Sequence, residues 1–254
     1  MNVWDSYAIR TQAMGKTRRE IAYNKEVQRL NRLLPASLSY HIAIVDGLER
    51  NVAIINSDNL NEKLMYSMPK EDFDCGGLVE WMDNHWLITE KDANNEIYTK
   101  VKLLQCNHIL RWVDENDVIK EQWCVVEDGT KYLTGEMEDR FFFTTRGDSR
   151  IAIHIGRNED TVKLGRQNRF LVDDPDHEHK LAYALTKPLR FGHTYNNKGI
   201  YSFVCQEVVA TDDDNQELGI ADYYKHFPRE QEVEEIAPTV EDKYEQKPER
   251  KVWL

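Results

Sequence analysis

Apolar residues recur every three or four positions from Thr17 to Leu34, and every second position from Tyr40 onward. The first period is that of a helix with one buried face, the second that of half-buried strands. In "TRREIAYNKEVQRLNRLLP" both helix ends are marked. Thr17 and Glu20 have capping-box spacing, so each side chain can satisfy the other residue's free backbone N–H. Pro35 disfavours helical geometry at Leu34 and predicts the stop. Tyr23, Val27, Leu30 and Leu34 form one stripe of this helix; Arg18, Lys25, Arg29 and Arg32 form the opposite one.

The alternating region reads as short strands separated by turn residues. "YHIAIV" and "NVAIIN" flank "DGLER" and predict a hairpin with Asp46-Gly47 in the turn. "EKLMYSMP" follows, then "GGLVEWM" and "HWLITEK" around Asp83-Asn84. "EIYTKVKLLQCNHILRWVD" is long for a strand and is expected to bend or bulge, before "DVIKEQWCVVED". A second series begins near Arg140 with "RFFFTTR" and "SRIAIHIG" around Gly147-Asp148. It continues through "TVKLG", "NRFLVD", "KLAYALTKP" and "GIYSFVCQEVVAT". The predicted fold is mainly β: two small antiparallel barrel or sandwich modules, an N-terminal helical segment and a flexible C-terminal tail. The expected boundaries are 1–36 for the helical arm, 37–135 and 136–224 for the β modules, and 225–254 for the tail. The linker "VEDGTKYLTGEMED" places the division between modules near residues 127–139.

Charge sharpens this picture. Residues 1–34 carry seven basic and three acidic groups, a net +4, which leaves −16 on the remainder of a chain of net charge −12. An acidic body disfavours wrapping nucleic acid over the whole surface. The basic stripe Arg18, Lys25, Arg29 and Arg32 is the candidate partner-binding surface: solvated, laid against an acidic partner or nucleic acid, or, with only one short segment in support, laid on a membrane surface. Residues 225–254 are rich in charge and proline and bury too little apolar surface to fold on their own. No apolar run reaches membrane-spanning length, and the first residues lack the pattern of a secretory signal, so no membrane association is expected.

Candidate chemistry is sparse. Cys106, His108, Leu110 and Trp112 share one face of a strand, so Cys106 and His108 point the same way, as metal ligands would. Leu110 and Trp112 continue that face, and Cys75, Cys106, Cys124 and Cys205 form no C-x₂₋₄-C pair, so Cys106 reads as core and no metal is expected. In "DDPDHEHK", Asp173, Asp174, Asp176, His177 and His179 could gather round a cation but read as a surface turn. "DDDNQELGIADY", from Asp212, has Glu217 and Tyr223 where a calcium loop needs glycine and glutamate, and reads as a loop. With no G-x-S-x-G, G-x-x-x-x-G-K-[ST] or G-x-G-x-x-G, no catalytic residue and no cofactor is assigned.

The stretches "GGLVEWMDNHWLITEKD", "YTKVKLLQCNHILRW" and "VVEDGTKYLTGE" make residues 40–140 similar to small virion structural proteins of tailed bacteriophages. The resemblance is to the head-completion or head–tail connector class, which joins portal to tail. It implies a non-enzymatic β-barrel subunit in a ring around the DNA channel, assembled in the host cytoplasm and carried in the virion. Its implied partners are copies of itself and neighbouring portal, connector or tail proteins, with DNA passing nearby without sequence-specific binding. A tail or collar component fits the same features. The rival is an OB-like nucleic-acid-binding barrel, with Trp81, Trp86, Trp112 and Trp123 as base platforms; their acidic surroundings count against it.

Overall fold

The computed structural model describes residues 15–92, 95–128, 149–173 and 179–229, with Trp4, Tyr7 and His177 as isolated positions. Helix α1 (Arg18–Leu33) begins at Thr17 with the full capping box and runs into a 3₁₀ turn at Leu34–Ala36, with Pro35 in its first turn. Thirteen strands follow among the described residues: β1 (Tyr40–Val45), β2 (Leu48–Asn56), β3 (Glu62–Ser67), β4 (Leu78–Trp81), β5 (Asn84–Lys91), β6 (Lys100–Gln105), β7 (His108–Val113), β8 (Ile119–Asp128), β9 (Arg150–Gly156), β10 (Arg169–Val172), β11 (Leu181–Leu189), β12 (Thr194–Tyr195) and β13 (Lys198–Val208). A one-turn helix, α2 (Tyr223–His226), follows them.

The fold is mainly β, with two barrel-like antiparallel sheets. The first is a closed barrel in the order β1-β2-β3-β6-β5-β4. Val45 pairs with Val79 to shut it, and Asp46 Oδ1 accepts the Leu78 N–H at 2.9 Å just beyond the last ladder pair. Asp46-Gly47 has positive φ at both residues, the twist that a two-residue hairpin requires. Alternate residues, among them Val52, Met65, Ile88 and Leu103, fill the interior.

The second sheet runs β10-β11-β13-β9-β8-β7, with β12 turned back onto β13. Its end strands approach each other: the His108 ring in β7 hydrogen-bonds the Leu171 backbone in β10. Leu110, Ile153, Phe170, Leu185 and Phe203 lie in its core. Among the described residues each sheet carries one register shift, and each time a threonine sits in it. Thr89 Oγ1 donates to Lys102 O at 3.2 Å, and Thr186 Oγ1 to Val204 O at 2.9 Å, so a hydroxyl spans the ladder where the extra residue disrupts it.

The long strand expected around Cys106 is two strands in two sheets. The Cys106 N–H donates to His85 O in the first barrel, and the next N–H, of Asn107, donates to Cys124 O in the second sheet. The Asn107 side chain takes the place of a strand residue, accepting from Val126 N and donating to Val126 O, both at 2.8 Å. The sheets therefore part at Cys106-Asn107, and β7 and β8, expected in the first module, lie in the second. The segment 129–148, which holds most of the expected linker and "RFFFTTR", is outside the described residues. "TVKLG" is not a strand. Thr161–Lys163 make a 3₁₀ turn, because Asn158 Oδ1 accepts the Thr161 N–H at 2.7 Å and curls the chain.

The start of the tail also shifts. Residues 225–229 are packed on the body: His226 Nδ1 meets Asp117 Oδ1 at 2.6 Å, Phe227 lies against Tyr223, and the Arg229 guanidinium sits over the Tyr224 ring at 4.1 Å. Residues 230–254 are outside the described residues.

Between the sheets, Leu87, Cys106, Val125 and Ile200 form a shared apolar cluster. This explains the unbroken apolar run Trp86-Leu87-Ile88. Trp86 and Ile88 face the barrel interior, while Leu87 faces the second sheet. Glycines allow the close approach: a Cβ on Gly76 would lie 1.9 Å from Gly199 O, and one on Gly156 2.1 Å from Gly76 O.

Candidate interaction surface

Helix α1 lies on the outside of the first barrel. Its apolar stripe turns inward, with Val27 buried and Tyr23, Leu30 and Leu34 half-buried. The Tyr23 hydroxyl donates to Glu96 O at 3.4 Å, and the Arg19 guanidinium grips the Glu96 carboxylate at 2.6 and 2.8 Å. Both contacts tie the first half of the helix to the β5–β6 connection. With the inward face fixed, the outward face follows from the 3.6-residue turn.

That outward face carries all four expected cations. Arg18, Lys25, Arg29 and Arg32 are exposed and run in one line along the helix. Arg29 commits Nε and Nη2 to Glu26, one turn back, at 2.9 and 2.5 Å. That hydrogen bond pulls the Glu26 carboxyl below its ordinary range and raises the guanidinium. Arg18, Lys25 and Arg32 take part in no ion pair among the described residues. Lys25, Gln28, Arg29, Asn31 and Arg32 border a shallow depression of about 560 Å³. An exposed line of four cations, three of them without an ion pair among the described residues, on a chain otherwise strongly acidic is chemically suited to an anionic partner.

The other candidates resolve into packing. Cys106 is buried in the cluster between the sheets, and burial pushes its thiol up to about 12. His108 is two residues on, in the other sheet, where burial lowers its pKa against the bond to the Leu171 backbone. Asp174 and Asp176 lie outside the described residues; His177 and His179 are exposed. Among the described residues, no three His, Cys, Asp or Glu side chains gather as a metal site would require. The tryptophans named as base platforms are engaged elsewhere. Trp86 and Trp112 are buried, Trp81 packs against His41 and Trp86, and Trp123 stacks on His85.

One cluster escaped the sequence reading. Arg169 of β10 binds Asp214 through both terminal nitrogens at 3.0 and 2.9 Å, Asp222 at 2.7 Å and Val209 O at 3.1 Å. The Asp214 side chain is fully buried. Burial works against its charge, but the N–H groups of Asp222 and Thr211 and the guanidinium outweigh it and hold the carboxyl below its ordinary range. This clasp fastens the 209–222 loop to the second sheet. Its members lie far apart in sequence, within acidic loop residues that give no signal of pairing.

Residues 17–105 match the model of the family described as the YomX N-terminal domain, a phage-type family represented in an SPbeta-like prophage of Bacillus. The match opens on the N-cap of α1 and closes on the last residue of β6, so it coincides with the helix and the closed barrel. No curated protein and no solved structure matches the chain.

Proposed function

We propose, from a first module similar to a phage-type domain, that this chain is a non-enzymatic structural subunit of a phage particle. In this reading it associates with copies of itself through the basic face of α1 and forms a ring in the head–tail connector. The observation that carries the proposal is the line Arg18, Lys25, Arg29, Arg32: exposed, largely uncompensated, and carried on a helix that meets the β5–β6 connection at Glu96. A patch that meets a different surface on the next copy makes a head-to-tail contact, and such contacts build a ring when the rotation between copies closes. The apolar and glycine-lined junction between the sheets supports the reading, because a subunit that presents one patch at a constant angle needs a stiff body.

The test is reversal of all four cations to glutamate in the full chain. The expected variant is a folded monomer with unchanged circular dichroism. It no longer self-associates and is not incorporated when co-expressed with the other particle proteins. Association of the unmodified chain weakens as salt rises, since screening shortens the reach of exposed charges. A variant that associates and incorporates like the unmodified chain overturns the reading, as does an unmodified chain that stays monomeric at low salt.

A further inference from the structure

We infer that the surface received by the α1 stripe is the acidic segment 230–242 of a second copy of this chain, an inference that rests on the self-association proposed above. Residues 18 to 32 cover about 21 Å of helix at 1.5 Å per residue. Arg18, Lys25 and Arg32 lack ion pairs among the described residues, and Arg29 keeps Nη1 outside its bonds to Glu26. Ala22, exposed in the same line, leaves a low place between the cations.

The complement lies in "EQEVEEIAPTVED", which holds Glu230, Glu232, Glu234, Glu235, Glu241 and Asp242 and no lysine or arginine. Its thirteen residues reach about 43 Å when extended, at about 3.3 Å per residue, enough to follow the whole stripe. Val233, Ile236 and Val240 are interleaved with the acids and suit the exposed Ala22 and Leu33. The segment also starts from a fixed point. Arg229 donates to Asp212 O at 3.0 Å and stacks on Tyr224, so the acids leave from the 209–222 loop of the second sheet, whereas the stripe belongs to the first barrel. Docking between copies joins the second sheet of one to the first barrel of the next, the head-to-tail geometry a ring requires. Docking within one copy would cap the stripe and end association.

A charge exchange in the full-length chain tests this by sedimentation velocity at low salt. One variant carries Arg18→Glu, Lys25→Glu, Arg29→Glu and Arg32→Glu; a second carries Glu232→Lys, Glu234→Lys, Glu235→Lys and Glu241→Lys; a third carries both sets. Circular dichroism confirms that each is folded. Each set alone is expected to weaken association at least tenfold, and the two together to restore it within about threefold. The inference is overturned if the tail set associates normally, or if the combined variant stays as weak as either set. It is also overturned if the tail set changes the sedimentation coefficient without any dependence on concentration, which is docking within one copy. In those cases a helix set that still abolishes association leaves the self-association reading standing. A helix set that associates normally removes both.

Discussion

His85 of β5 stacks on Trp123 of β8, with ring centroids 4.1 Å apart and planes inclined by 13°. The pair spans the two sheets beside the point where Gly156 and Gly76 bring their backbones together. A contact of this kind leaves no room for even one added methyl. Gly156→Ala would place its Cβ 2.1 Å from Gly76 O, a backbone atom that cannot swing aside. Overpacking of this sort costs about 1–3 kcal/mol. Gly165→Ala is the control, because its nearest neighbour is 4.0 Å away. The expected result is a lower thermal midpoint for Gly156→Ala and faster hydrogen exchange in β5 and β8, with Gly165→Ala close to the unmodified chain. Equal midpoints for the two variants would show that the junction is loose.

Arg169→Leu should be among the most damaging single changes in the second sheet. It strands the Asp214 carboxylate, whose side chain is fully buried, without its guanidinium. Losing one partner of a buried ion pair costs about 3–5 kcal/mol. Asp222→Asn keeps a hydrogen-bond acceptor beside Arg169 and should cost less. Urea denaturation gives the order, and limited proteolysis within 209–222 gives the place. If Asp222→Asn proves the worse of the two, Asp214 is not the centre of the clasp.

Acid should weaken the fold in two stages. Burial holds His108 and His154 below the ordinary histidine value of 6.5, and Asp214 lies below the ordinary aspartate value of 3.8. Each therefore binds fewer protons folded than unfolded over the relevant range, so stability rises with pH there. The histidine contribution is complete above pH 6.5 and is lost as pH falls through the lower folded values; the Asp214 contribution is lost below pH 3.8 in the same way. The urea midpoint should be flat near pH 7, decline on acidification, and decline again as pH rises through 9, where the unfolded chain ionises thiols that burial keeps protonated in the folded chain. Replacing both histidines by glutamine should remove the first decline and leave the second. A midpoint that rises between pH 7 and pH 5 would contradict the assignment.

The cysteines should be inert in the folded chain. Cys75, Cys106, Cys124 and Cys205 are free and buried. Burial pushes Cys106 and Cys205 to about 12 and raises Cys75 and Cys124 as well. The thiolate is the reactive form, so a disulfide reagent at pH 8 should label only as fast as the protein opens. Cys106→Ser with His108→Ala should lower stability and leave metal content unchanged. Rapid native-state labelling, or about one zinc per unmodified chain by elemental analysis, would refute this.

Local signals in the sequence were enough for the helix and most hairpins. Thr17, Glu20 and Pro35 mark the ends of α1 because capping and proline sterics act within a few residues. Asp46-Gly47 marks its turn because those residues tolerate positive φ. The next hairpin turns one residue earlier than expected, at Met82-Asp83, where Met82 adopts φ 49°. Methionine gives no turn signal; the two-residue loop joining β4 to β5 imposes that conformation on it.

The exposed basic line was legible because a helix converts spacing directly into a face once its apolar stripe is known. Which sheet each strand joins was not legible. Residues 100–113 alternate almost without interruption, and alternation is the same whichever sheet supplies the neighbour. The change at Cys106-Asn107 depends on the carbonyls of His85 and Cys124, and the clasp on Arg169 meeting Asp214. The sequence alone determined faces and ends, which are properties of neighbouring residues. Partners distant along the chain were decided only when folding brought them together.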